Sequence, residues 1–175
     1  MVAHGARAAK PLNPLRWLGA PMLACIAATV ILATPIRIFR LGLPEPIFPL
    51  AAAFAWAVIR PSVLPPFALL VLGLFLDVFW DGPQGLWPLC LLTAYAAVLW
   101  ARRLIMGQDF LVMWGWYGAV TAGALAAGFL LMTMDARSAP NLVSVLLMYY
   151  LPTLLLFPFA HRLIALYEDA DVRFR

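Results

Sequence analysis

Six long apolar runs, with the charged side chains gathered at their ends, constrain this chain more than any motif in it. A backbone surrounded by hydrocarbon must satisfy its N–H and C=O groups within its own segment, which leaves α-helices as the solution for spans of this length. The runs lie at about 17–36, 46–59, 64–80, 86–101, 110–134 and 142–166. Composition agrees: 65% of the 175 residues are apolar and 11% are charged, against about 45–50% and 25% in a soluble domain. Mean hydropathy is +0.93. The expected fold class is an all-α integral membrane protein with six transmembrane helices at 17–166. A cytoplasmic tail at 1–16 precedes them and another at 167–175 follows. The first run lacks a clear small-x-small cleavage site, so the start reads as a tail rather than a signal peptide.

Lys and Arg at the run ends set the orientation. With the N-terminus inside, the inner side holds Arg7, Lys10, Arg16, Arg60, Arg102, Arg103, Arg162, Arg173 and Arg175, nine in all, and the outer side Arg37, Arg40 and Arg137, which is three. Both termini are expected in the cytoplasm, with Asp77, Asp81 and Asp135 toward the outside. The net charge of +4 does not point to nucleic acid, because the basic residues are scattered over segment ends rather than gathered on one polar face. Cys25 and Cys90 sit inside apolar runs and read as buried free thiols, with neither a disulfide nor a metal site.

Two spans are irregular. The second, at 46–59, covers only about 21 Å as an ideal helix against a hydrocarbon core of about 30 Å, and Pro44, Pro46 and Pro49 crowd its outer end. Arg60-Pro61-Ser62 then turns it into a tight hairpin with the third span. In the sixth span Pro152 and Pro158 each remove a backbone hydrogen bond, so a kinked or curved helix is expected.

The fifth span carries a ladder of small residues, Gly115, Ala119, Gly123 and Ala127, beside a second one, Gly118, Ala122 and Ala126. Small residues let helix backbones approach closely where lipid offers no hydrophobic driving force. The first expectation is a contact inside the bundle; the sharper one is a docking face for another protein's transmembrane helix. Trp114, Trp116 and Tyr117 lie toward the inner end of this span, where an interfacial aromatic belt accounts for at least some of them.

Residues 73–89, GLFLDVFWDGPQGLWPL, hold the other distinctive feature. Asp77 and Asp81 lie one helical turn apart, where like charges repel, and a carboxylate at membrane depth is seldom left without a partner or a task. Its compensation is expected from Arg37, Arg40 or Arg137, from backbone N–H groups of the Gly82–Gly85 turn, or from a retained proton. In the structural reading Asp81 caps the turn into the fourth span while Asp77 ties the bundle together. In the functional reading Asp77 lines a ligand or transport site. No nucleophile elbow, phosphate loop or metal-ligand spacing occurs, so neither catalysis nor a cofactor is expected.

These motifs come in an order that resembles the bacterial rod-shape-determining MreD family. That family typically shows an apolar segment ending in Arg-Pro, a Gly-Leu-x-x-Asp helix, a Gly-x-Pro-x-Gly-Leu-type turn, and a helix containing Ala-Tyr; in this chain no residue stands between the Gly and the Pro of the turn. Here they are Arg60-Pro61, Gly73-Leu74-Phe75-Leu76-Asp77, Gly82-Pro83-Gln84-Gly85-Leu86 and Ala94-Tyr95, within residues 55–103. Trp87 and Pro88 stand where relatives more usually carry polar or small residues. The resemblance implies a non-enzymatic scaffold in the bacterial cytoplasmic (inner) membrane. Such a scaffold binds the transmembrane helix of MreC and acts with MreB, RodA and a penicillin-binding transpeptidase in the elongasome that builds peptidoglycan. It also implies a helix layout similar to the S components of ECF vitamin transporters, which enclose an outward-facing cavity for a small molecule. Asp77, Asp81, Gly82, Pro83, Gly85, Arg60 and Pro61 are then the structural or pocket residues. Gly115, Ala119, Gly123 and Ala127 are the candidate docking face.

Overall fold

The computed structural model of the chain describes residues 15–33, 46–134, 141 and 145–171, and among these every regular element is helical. Helix α1 opens with a π-helical stretch, Leu15–Gly19, and continues as Ala20–Ala33. Helix α2 covers Phe48–Ile59, α3 Leu64–Phe79, α4 Leu86–Ile105 and α5 Phe110–Met134. Helix α6 is interrupted: π-helical Leu146–Tyr150 leads into Leu151–Leu154, and the helix resumes as Phe157–Asp171. Six helices thus answer to the six apolar runs. Within them Leu86–Ile105, Phe110–Thr133 and Leu147–Leu166 are long and apolar enough to cross a membrane. Arg37, Arg40, Asp135 and Arg137 lie outside the described residues, as do Pro44, residues 1–14 and residues 172–175.

The short second helix is accounted for by where it sits. Every residue from Pro49 to Val58 is buried. A helix apolar on all sides belongs inside a bundle, and α2 is ringed by α1, α3, α4 and α6. Its length need not match a bilayer because it presents no face to one. Ala51, Ala52, Ala53, Ala55 and Ala57 keep it slender, and Phe54 and Trp56 fill the remaining space. Phe54 meets Tyr117 edge-on at 5.3 Å and Phe157 at 6.3 Å.

Burying a whole helix leaves its end groups away from water, so other helices must satisfy them. At the start of α2, Ile47 N–H donates to Thr153 Oγ1 at 3.0 Å. At its end, the Arg102 guanidinium donates to the Val58 carbonyl through Nε at 3.3 Å and through a terminal nitrogen at 3.2 Å. In the middle, Trp56 Nε1 donates to the Trp17 carbonyl at 3.2 Å and ties α1 to α2. Arg102 and Arg103 do not end the fourth helix, as the sequence suggests. It runs on to Ile105 with both arginines in its last turn, where cations are favoured by the helix dipole.

The expected curvature of the sixth span is instead a break at Leu155–Leu156. Pro158 has no N–H to offer the Leu154 carbonyl four residues back, and Trp114 Nε1 supplies the missing donor at 3.2 Å. The Thr153 carbonyl accepts from Leu156 N–H at 3.0 Å and from Tyr117 O–H at 2.9 Å. Tyr117 is fully buried, so it is a core residue and not part of an interfacial belt.

Much of the exterior is apolar as well. On α3, Phe67, Leu70, Val71, Leu74 and Val78 form an outward stripe, while Ala68, Leu69, Leu72, Gly73, Leu76 and Asp77 face inward. Val78 and Trp100 are 84% and 85% exposed, an arrangement suited to hydrocarbon surroundings.

If the Thr153 hydroxyl caps the buried α2, Thr153→Val should cost about 1–3 kcal/mol, the range for orphaning a buried donor. Thermal unfolding in detergent should show a clear drop in Tm for Thr153→Val and a smaller one for Thr153→Ser, which keeps the hydroxyl.

Candidate functional site

The site forms where α3 ends and α4 begins. Helix α3 closes in a left-handed cap: Asp81 takes φ +49° and Gly82 N–H reaches back to the Asp77 carbonyl at 3.1 Å. That six-to-one bond across a left-handed residue is the Schellman motif. The left-handed position usually falls to glycine; aspartate is among the few other residues that tolerate it. Asp81 is exposed, and it ends α3 rather than capping α4.

The cap of α4 comes from Asp77. Gly85 precedes the helix at φ +91° and its own N–H donates to Asp77 Oδ2 at 2.6 Å. Trp87 N–H donates to Asp77 Oδ1 at 2.9 Å. Between them, Leu86 N–H bonds the Pro83 carbonyl at 3.2 Å, Pro88 has no N–H, and Leu89 N–H begins the regular pattern on the Gly85 carbonyl at 3.1 Å. Every donor of the first turn is therefore accounted for. The carboxylate is 4% exposed and uses both oxygens as acceptors. It sits against the positive end of the α4 dipole, where an anion is favoured. Of the compensations expected from sequence, the turn's backbone supplies this one.

Gly73 makes the geometry possible. It lies one turn before Asp77 on the same face of α3, and a Cβ there would come within 2.5 Å of Pro88 Cα and 2.8 Å of Pro88 Cδ. Any side chain at 73 would push α4 away and carry its first turn out of reach of Asp77. Gly128 brings α5 onto α4 in the same way, since a Cβ there would sit 2.6 Å from Cys90 Sγ. Sequence reasoning marked Pro88 only as a departure from the family, with no packing role, and did not single out Gly128. A small residue and a proline carry no sign of which helix they face.

Arg60-Pro61 and Ala94-Tyr95 meet at the other end of the hairpin. Tyr95 O–H donates to the Ser62 carbonyl at 3.2 Å, just beyond the Arg60-Pro61 turn, and Ala94 and Tyr95 are buried. Arg60 and Pro61 are themselves exposed. Gly82 and Pro83 form the turn without a polar contact from their side chains. The motif residues thus divide into two staples, one at each end of the α2–α3–α4 unit.

The small ladder of α5 lies elsewhere than first expected. Gly115, Ala119 and Gly123 are exposed and Ala127 is half-buried. A Cβ at Gly115 or Gly123 would meet no atom within 4 Å. The bundle-facing side of α5 is instead Tyr117, Gly118, Val120, Thr121, Ala124 and Gly128. Among the described residues, the internal contact expected for the ladder is not made.

A half-open cleft of about 200 Å³ lies beside the Asp77 cap. It is lined by Trp80, Gly82, Leu86, Trp87, Cys90, Leu125, Gly128, Phe129, Met132, Val145 and Tyr149, and not by Asp77. Trp80 and Trp87 are 4.8 Å apart between ring centroids, with Tyr149 at 6.2 and 6.3 Å from them. Trp80 Nε1 is buried with no hydrogen-bond partner. Among the described residues no group of three His, Cys, Asp or Glu is placed to hold a metal ion. Comparison with protein-family models, with curated proteins and with solved structures found no match.

Asp77→Ala strands the buried Trp87 N–H and removes two charge-assisted bonds, so it should destabilise by about 3–5 kcal/mol. Asp81→Gly should leave stability unchanged or raise it by up to about 1 kcal/mol, and Asp81→Val should lower it by about 1–2 kcal/mol, because only the valine is strained at positive φ. Chemical or thermal unfolding of the three variants in one detergent checks both residues.

Proposed function

We propose that this chain is a non-enzymatic scaffold subunit of a bacterial cell-wall elongation complex, of the MreD type. It lies in the inner membrane with both termini in the cytoplasm and receives the transmembrane helix of MreC on the small-residue face of α5. MreB, RodA and a penicillin-binding transpeptidase are its further partners, directly or through MreC, in supporting peptidoglycan synthesis and rod shape. The observation that carries this reading is the exposed ladder Gly115, Ala119, Gly123: a strip of backbone on the outside of the bundle where, among the described residues, a Cβ at either glycine would meet nothing within 4 Å. Close helix–helix packing in lipid uses such strips. The motif order of residues 60–95 supports the family. In this chain those residues are spent on holding helices together, as a scaffold requires.

The second reading, a small-molecule or lipid module with Asp77 lining an outward cavity, fits the geometry less well. Asp77 has both oxygens engaged by backbone N–H groups and does not border the neighbouring cleft.

Replacing Gly115 and Gly123 together by Leu tests the docking face. With no atom near either position, Tm should stay within about 2 °C of wild type, the shift of a substitution worth less than about 0.5 kcal/mol. Co-purification of MreC should fall several-fold. Undiminished MreC capture by the folded double variant would remove α5 as the docking face.

A further inference from the structure

We propose that the cleft between α4, α5 and the start of α6 is a binding site for the acyl chain of a membrane lipid. The inference rests on the membrane embedding proposed above and is independent of the partner. In a half-open cleft of about 200 Å³ with a mainly apolar lining, hydrocarbon is favoured over water as the occupant because it removes that lining from water. Water is a poor occupant, because a buried water needs two to four polar partners and the wall is built mainly from Leu125, Met132, Val145 and the rings of Trp80, Trp87 and Tyr149. Asp77, which caps α4 beside the cleft without lining it, is consumed by Gly85 and Trp87 N–H. Trp80 Nε1 is closed off among the packed rings, so it offers no anchor for a polar ligand.

The three rings also argue against a cation. An aromatic cage holds its guest between ring faces, each within about 6 Å of the charge. Here the rings pack on one another at 4.8 to 6.3 Å and leave no such gap. They form one wall of a slot, and the half-buried Leu125, Phe129 and Met132 of α5 form the other. Such a slot beside an apolar exterior is filled by whatever hydrocarbon the surroundings provide. In a bilayer that is a lipid chain.

Cys90 borders the cleft and is 2% exposed, so it reports on occupancy. In a Cys25→Ala background, held in a fluorinated surfactant whose chains mix poorly with hydrocarbon, the rate of Cys90 alkylation by N-ethylmaleimide is followed with and without dioleoylphosphatidylcholine. Lipid at four times its dissociation constant should slow alkylation about fivefold, and glycerophosphocholine, the same headgroup without chains, should not slow it. Val145→Trp, which fills the slot, should slow alkylation without lipid and abolish the further effect of lipid. Val78→Trp, on the open face of α3, should behave as wild type. Equal rates with and without lipid, or equal protection by the headgroup alone, would overturn the proposal even if Val145→Trp failed to fold. Extraction of the wild-type chain from membranes by alkaline carbonate reports separately on embedding: release into the supernatant would defeat the membrane reading itself.

Discussion

One carboxylate holds the start of one helix, and much of the bundle is arranged around that contact. Asp77 receives the Gly85 and Trp87 N–H groups, so the first turn of α4 cannot move without breaking both bonds and stranding the buried Trp87 donor. Helix α4 is in turn the element against which α2, α3 and α5 pack. Burying an anion is expensive, and the cost falls when its lone pairs are filled and a helix dipole points at it. The pairing also fixes register. Gly73 brings the helices close enough, Pro88 occupies the contact without a donor to satisfy, and Asp77 then meets the only two first-turn N–H groups that have no other acceptor.

The same physical problem recurs at several helix ends and breaks among the described residues, and there a side chain from another helix answers it. Thr153 takes the Ile47 N–H at the start of α2, and Arg102 holds the Val58 carbonyl at its end. Trp114 takes the carbonyl that Pro158 leaves without a partner. Tyr95 pins the turn between α2 and α3. Side chains that look like scattered polar exceptions in an apolar sequence are therefore the links between helices, in keeping with the role of polar groups as glue where lipid supplies no hydrophobic drive.

The six helices were legible because hydrophobic run length and turn residues are local properties. The α3–α4 turn was legible for the same reason, down to a carboxylate close to backbone donors. What failed was assignment between near-equivalent groups. Asp81 lies nearer to α4 in sequence and was the expected cap, but α3 ends on it in a left-handed turn, and only Asp77 faces α4. The shortness of α2 looked like a mismatch with the bilayer until its burial on every side removed the requirement. The α5 ladder was readable as a strip of small residues, but a 25-residue helix with apolar residues all round gives no sequence signal of which strip faces inward. Tyr117 and Gly118 decide that, through contacts with α6. The break at Leu155–Leu156 follows from Pro158, whereas the Trp114 indole that makes it tolerable comes from another helix.

Amide hydrogen exchange at Gly85 and Trp87 tests the central claim most directly. Gly85 sits in a solvent-side turn and is itself exposed, so without a partner its amide should exchange at the rate of an open loop. With Asp77 as acceptor, both amides should be protected to the level of the α4 interior, and Asp77→Asn, which keeps the shape but offers one acceptor oxygen, should release one of the two. Loop-like exchange at both amides in the wild-type protein would contradict the account.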